Sequence, residues 1–247
     1  SPSQNIEIHR VEVRDWSDII NGHKPDCLII NDWQGVENRY RNNAAQFDNV
    51  TRLKNLLEAL EPIPKVIGVG SQAELGPCSG SILESQRDNP TTLYGEAKVE
   101  ARKALLEAGN NRANYHWARI FSTYGNMDNG SWLLPSIIRS LGSGREFQMT
   151  SGEQVWSYLH ALDLAFAFKT IVENNLKGFV INIGNPNTVA IKEIALQVGK
   201  RMAATELIQL GAIPYRKDQV MELRPVCESL TAAGWHPKVT LGDGLDT

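Results

Sequence analysis

The chain has 247 residues, 42% of them hydrophobic and 21% charged, with a formal net charge of −3. That size and balance exclude a disordered, collagenous or coiled-coil chain and fit one large α/β domain, or one domain with a small lobe. No basic block points to nucleic acid, no apolar run is long enough for a membrane span, and the dispersed Cys27, Cys78 and Cys227 fit neither a disulfide set nor a metal site. Residues 6–13 alternate polar and apolar and predict a strand; residues 15–20 predict a short helix, with Ser17 as its cap. Residues 26–30 hold the short apolar run Cys27-Leu-Ile-Ile30, the pattern of a buried parallel strand. Val50, Leu53, Leu56, Leu57 and Leu60 fall at helical spacing within 42–60, and Pro62 and Pro64 end that helix. Residues 65–69 predict another buried strand, 94–108 a helix and 115–121 a strand. Strand and helix thus alternate through residue 121, which argues for a parallel sheet covered on both faces. Beyond it come helices at 133–141, 162–172 and 191–202, short strands at 156–160 and 178–184, and one more helix within 223–235. The division expected is a dinucleotide-binding part over 1–121, rejoined by 161–184, and a smaller substrate lobe over 122–160 and 185–247.

A doubly wound sheet usually carries phosphate chemistry at a glycine-rich turn from strand to helix. Gly68-Val-Gly70-Ser-Gln-Ala73 satisfies G-x-G-x-x-A literally and follows a strand. The next residues, Glu-Leu-Gly-Pro-Cys-Ser-Gly, break helices, so the backbone N–H groups that would face a pyrophosphate are not expected there.

The strongest chemical signal is Tyr94-Gly-Glu-Ala-Lys98. On a helix, positions four apart share a face, so the phenol and the ammonium point the same way. A cation that close favours phenolate and would lower the tyrosine pKa toward working pH, making a proton donor and acceptor for an alcohol/ketone pair. Ser71, at the end of the preceding strand, is placed to bind the same oxygen.

These residues resemble the extended short-chain dehydrogenase/reductase family, in its nucleotide-sugar epimerase, dehydratase and ketoreductase branch. The likeness runs along nearly the whole chain: 13–15, 26–33, Asn49, Gly70-Ser-Gln-Ala-Glu-Leu-Gly76 with Leu75 where tyrosine is usual, Pro90-x-x-x-Tyr94-Gly-x-x-Lys98, Arg119-Ile-Phe-Ser-Thr-Tyr-Gly125, 152–163 and 182–184. It implies a Rossmann-like doubly wound parallel sheet with a smaller C-terminal α/β substrate lobe, an NAD or NADP cofactor, a nucleotide-sugar substrate and a cytoplasmic homodimer. Residue by residue, it implies that Tyr94 is the acid/base, that Lys98 holds the nicotinamide ribose and tunes Tyr94, and that Ser71 binds the reacting oxygen. Glu12 would sit near the adenine, and Trp33 and Asn49 by the cofactor groove. Phe121 would lie by the nicotinamide, Gln72 and Ser122 by the sugar, and Arg224 at the nucleotide pyrophosphate. Where a sugar dehydratase needs an Asp and a Glu beside the serine, this chain has Gln72 and Ala73. That favours an epimerase or a 4-ketoreductase, between which the residues do not choose.

The family pattern enters at its third strand. The opening βαβ unit with its Gly-x-x-Gly-x-x-Gly turn, about 50 residues by the size of such a unit, precedes it in the family and is expected to be lacking here. A second reading therefore stays open, a non-catalytic relative that binds without turning over.

Among the remaining features, Trp16, Trp117 and Trp132 are expected in the core and Trp235 as a packing anchor. Asp163 is expected to cap the helix that follows it. His160 reads as a structural hydrogen-bonding residue, and the five scattered histidines make no metal site. A helix face around 44–60 and 96–106 is the expected dimer surface.

Overall fold

The computed structural model describes residues 15–110, 112–216 and 219–246. The predicted strand at 6–13 and Glu12 lie outside the described residues. The first elements are helix α1 (Trp16–His23), strand β1 (Cys27–Ile30), helix α2 (Gln46–Ala59) and strand β2 (Lys65–Ser71). Strand β3 (Ser81–Ile82), helix α3 (Leu93–Gly109), strand β4 (Tyr115–Ile120), strand β5 (Thr123–Tyr124) and helix α4 (Leu133–Gly142) follow. After them come β6 (Phe147–Met149), β7 (Val155–Trp156), β8 (Leu159–His160), α5 (Ala161–Glu173), β9 (Val180–Ile183), β10 (Val189–Ala190) and α6 (Ile191–Arg201). The described chain closes with β11 (Ile208–Leu210), β12 (Glu222–Pro225), α7 (Glu228–Ala232) and α8 (Leu241–Leu245).

The main sheet has the order β1-β2-β4-β9, every pair parallel. Alternation along the strands decides which helices cover which face. Val66 and Trp117 turn to one side and meet Val50 of α2 with Ala97, Ala101 and Leu105 of α3. Ile67, Ala118 and Ile181 turn to the other and meet Ala167 and Ile171 of α5, Leu230 of α7 and Trp235. Trp235 is therefore a packing anchor, and its indole N–H donates to the Asp163 carbonyl. The glycines that imitated a phosphate loop serve this packing. A Cβ on Gly68 would stand 2.6 Å from the Trp117 ring, and one on Gly70 would stand 2.2 Å from its indole nitrogen. After Ser71 the chain enters a single turn of 3₁₀ helix, not an α-helix. Gly68 and Gly70 make room for a tryptophan.

A second core joins α4, α6, β6 and β11. Here β11 and β6 pair in parallel, and β10-β7-β12-β3 form a small mixed sheet. The strand expected at 156–160 is two strands in two sheets, since β7 pairs with β10 and β12 while β8 pairs with β5. Between them Ser157 is wholly buried, its hydroxyl accepting the Asn185 N–H at 2.7 Å, and there the chain crosses from one sheet to the other. Two capping expectations are corrected. Helix α1 has no side-chain cap. Helix α5 is capped by the His160 ring, which accepts from the Leu162 N–H, while the Asp163 carboxylate accepts from the N–H groups of Lys238 and Val239. Trp16 and Trp132 are only half-buried, whereas Trp117 is core. No helix among the described residues is long and apolar enough to cross a membrane.

Candidate active site

The C-terminal ends of β2 and β4 open into a cleft of about 580 Å³. Parallel strands converge their ends on such a crevice. Ser71, Gln72, Tyr94, Lys98, Phe121, Ser122 and Trp33, seven of the residues singled out in the sequence, line it together. Arg41, Asp128, Trp132, Trp156, Tyr158 and Arg216 line it as well.

Helix α3 carries the phenol and the ammonium. Thr92 caps it, its hydroxyl accepting the Gly95 N–H. Gly95 lets the helix start come close against the turn after β2, because a Cβ there would lie 2.3 Å from the Ala73 carbonyl oxygen. This contact sets Tyr94 beside Ser71 in the cleft, where the serine side chain favours the ionised phenol. Ser71 is itself fixed. Its hydroxyl accepts the Ala73 N–H at 3.2 Å, and its own N–H donates to Glu74 Oε1 at 2.8 Å. Glu74 has no exposed surface. Oε1 also accepts the Trp117 indole N–H at 2.8 Å, and Oε2 lies 3.4 Å from Arg119 Nε.

Lys98 is 3% exposed. Its ammonium donates to the Val69 carbonyl at 2.8 Å and lies 3.7 Å from the centre of the Trp33 ring. Tyr94 meets the same ring edge-on, with centroids 6.1 Å apart. Burial pushes the Lys98 pKa down from 10.5 to about 7, against the pull of Glu74 and Asp32. Burial likewise pushes the Tyr94 phenol above its ordinary value, opposed by the Ser71 hydrogen bond and the Arg41 charge. Lys98 shares the helix face of Tyr94, its ammonium 5.9 Å from the phenol ring centre, while among the charges near the phenol Arg41 favours the ionised form and Glu74 opposes it. Arg41 belongs to a loop whose sequence has no periodicity to place it, so only the fold brings it into view.

A stability consequence follows for Lys98. Its folded pKa lies below its unfolded one, so between about 7 and 10.5 the unfolded chain holds the extra proton. The contribution of Lys98 to stability accordingly rises with pH across that window. Lys98→Met is expected to flatten this rise, read by denaturant unfolding at a series of pH values; an unchanged slope contradicts the burial of a weakly charged amine.

Two predicted residues stand apart from the cleft lining. Asn49 is buried and taken up by its neighbours: its oxygen accepts from the Gln34 N–H at 2.9 Å and from the Arg52 guanidinium, and its amide donates to the carbonyls of Gln34 and Gln46. It clamps the loop that carries Trp33. Arg224 donates to the Thr188 hydroxyl at 3.1 Å and lies 3.7 Å from Glu222, so the arginine of the C-terminal part that faces the cleft is Arg216. Arg216 lies outside every helix and strand, which left no pattern to single it out.

The residues present fit a nicotinamide and its ribose at one end of the cleft: a buried ammonium with three N–H groups, a phenol paired to a serine, and the Trp33 and Phe121 rings. The described residues hold no glycine-rich strand-to-helix turn for a pyrophosphate.

The chain is 26% identical over 232 residues to a UDP-glucose 4-epimerase of Halalkalibacterium halodurans, covering 81% of this chain and 65% of the relative. It is 22% identical over 129 residues to a CDP-abequose synthase of Salmonella muenchen, covering 51% of this chain and 44% of the relative. The chain thus spans about half to two thirds of the length of these curated relatives. Among solved structures, MoeE5 in complex with UDP-glucose and NAD superposes with a TM-score of 0.85 at 19% identity, covering all of this chain and 85% of that one. At that identity the likeness shows a shared fold. The model of the NAD dependent epimerase/dehydratase family matches residues 2–184, and the chain belongs to that family.

Proposed function

We propose that this chain supplies the catalytic and substrate-binding part of an NAD- or NADP-dependent nucleotide-sugar epimerase or 4-ketoreductase, with Tyr94 as acid/base. The observation that carries the reading is the pairing of the Ser71 side chain with the Tyr94 phenol, beside the Lys98 ammonium, in one cleft. The matched relatives named above act on UDP- and CDP-linked sugars, which supports that substrate class. When bound, a nicotinamide supplies the hydride exchange at the sugar carbon. The chain's own residues handle the oxygen on that carbon. Ser71 holds it, and Tyr94 gives it a proton as a carbonyl becomes an alcohol or takes one in the reverse direction. Lys98 has N–H groups for the ribose hydroxyls. Arg216 offers a planar guanidinium to the anionic nucleotide end, in the role expected of Arg224. Gln72 and Ala73 give no acid pair for removing water, which favours epimerase or reductase over dehydratase. The face of α2 and α3, with Phe47 and Leu106 exposed, is the proposed homodimer surface.

The test is a panel of nucleotide sugars and their 4-keto forms, with oxidised and reduced nicotinamide, followed by nicotinamide absorbance and product analysis. Turnover of at least one member is expected, and Ser71→Ala is expected to lower kcat about 10- to 100-fold through loss of a hydrogen bond to the reacting oxygen. No turnover, together with no change in tryptophan emission on adding reduced nicotinamide, overturns the reading in favour of a non-catalytic binding role.

A further inference from the structure

Arg216 reaches the cleft from the segment between β11 and β12, the described part of which has no helix or strand to hold it. Two sets of bonds tie that segment to residues 149–156. On the side of β12 the Val155 N–H donates to the Met221 carbonyl and the Trp156 indole N–H to the Val220 carbonyl, both at 2.8 Å. On the side of β11 the backbone gives a long bond, from the Ile213 N–H to the Met149 carbonyl at 3.3 Å, and Pro214 has no N–H to offer. The Tyr215 side chain takes over there. Its phenol oxygen accepts the Glu153 N–H at 2.7 Å and the Ser151 hydroxyl at 2.9 Å. The residues it grips are held in turn by α6. The Gly152 carbonyl accepts the Lys192 N–H at 2.9 Å, and the Glu153 carboxylate pairs with the Lys192 ammonium at 2.7 Å. Arg216 follows directly, so the bonds to the tyrosine fix the root of the guanidinium arm. Ordering a long side chain on binding costs entropy, and a fixed root lowers that cost.

We propose that Tyr215 is a positioning residue, its phenol oxygen fixing the backbone from which Arg216 meets the anionic end of a nucleoside diphosphate. The proposal rests on the reading of Arg216 as that contact. Tyr215 is not among the residues lining the cleft, so its effect on a ligand passes through its neighbour.

The experiment takes Tyr215→Phe, Ser151→Ala, Arg216→Gln and the double variant Tyr215→Phe with Arg216→Gln in the full chain. Tyr215→Phe removes one oxygen and keeps the ring. The clamp is read without ligand, as the rate of tryptic cleavage after Arg216 followed by mass spectrometry. That rate is expected to rise about 3- to 10-fold in Tyr215→Phe, the opening gained when a hydrogen bond of this kind is lost, and less in Ser151→Ala, which keeps the Glu153 contact. Calorimetric titration with UDP and with CDP reads the ligand. The Kd is expected to rise about 5- to 10-fold in Tyr215→Phe and about 10- to 100-fold in Arg216→Gln. Adding Tyr215→Phe to Arg216→Gln should then cost less than about twofold more, because the group being positioned is gone. For a nucleotide sugar that the chain turns over, KM should rise in Tyr215→Phe by the same factor as Kd, with kcat within about twofold of the parent. An unchanged cleavage rate in Tyr215→Phe overturns the clamp. Faster cleavage with unchanged Kd in a parent that binds UDP or CDP overturns the positioning role and leaves the nucleotide reading of the cleft intact, as do losses that simply add in the double variant. A parent that binds neither nucleotide overturns that reading and this proposal together.

Discussion

Tyr94→Phe is expected to lower kcat by about 100- to 10,000-fold, the usual worth of a positioned acid/base, with little change in the fold. The substitution removes one oxygen. That oxygen faces Ser71 at the cleft, while the ring keeps its edge-on contact with Trp33 and the backbone N–H keeps its bond to the Arg41 carbonyl. The loss to stability is therefore about 1 kcal/mol or less, that of a single hydrogen bond. Steady-state kinetics with denaturant unfolding check both halves. A kcat within a few-fold of the parent chain sinks the mechanism, and gross unfolding sinks the claim that the phenol oxygen is not structural.

Glu74→Gln is expected to act through stability, by about 3–5 kcal/mol, the cost of removing one partner of a buried ion pair. One carboxylate oxygen accepts from both Ser71 and Trp117, and the other faces Arg119 at 3.4 Å and Arg102 at 3.9 Å. A glutamine brings one oxygen and one NH₂, so whichever way it turns, either two donors or a buried guanidinium meets another donor. Among the described residues Arg119 would keep only Asp88, at 3.8 Å, as an ion-pair partner. Urea unfolding measures the loss. The double variant Glu74→Gln with Arg119→Met is expected to recover part of it, because the orphaned charge leaves with its partner. A loss below about 1 kcal/mol, or strict additivity in that cycle, would show that the charge network does not hold the site. Because the Ser71 N–H is tied to the same carboxylate, kcat should fall as well.

Glu74 also shows where reading the sequence stopped. Glu74 ends the 3₁₀ turn after β2, and nothing local announces that Trp117 and Arg119, more than forty positions on, lean onto it. Arg41 and Arg216 were missed for the same reason, since each lies in a segment without periodicity. Asn49 and Arg224 carried the expected residue types at the expected places, but their side chains are taken up by neighbouring backbone and by Thr188 and Glu222. The strand expected at 156–160 broke at Ser157, where a buried hydroxyl bond bends the path between two sheets.

What the sequence determined by itself was everything governed by short spacings. Strand and helix alternation, the parallel sheet, the helix bearing Tyr94 and Lys98 on one face, and the serine at the end of the preceding strand all follow from contacts within a few residues or from strand alternation. The tertiary structure alone decided the electrostatics. Whether Tyr94 ionises readily, whether Lys98 keeps its proton, and which arginine faces the cleft depend on desolvation and on charges brought in from distant loops. Burial is a property of the packed chain, and it pushes the Tyr94 phenol up and the Lys98 ammonium down, which no local spacing announces.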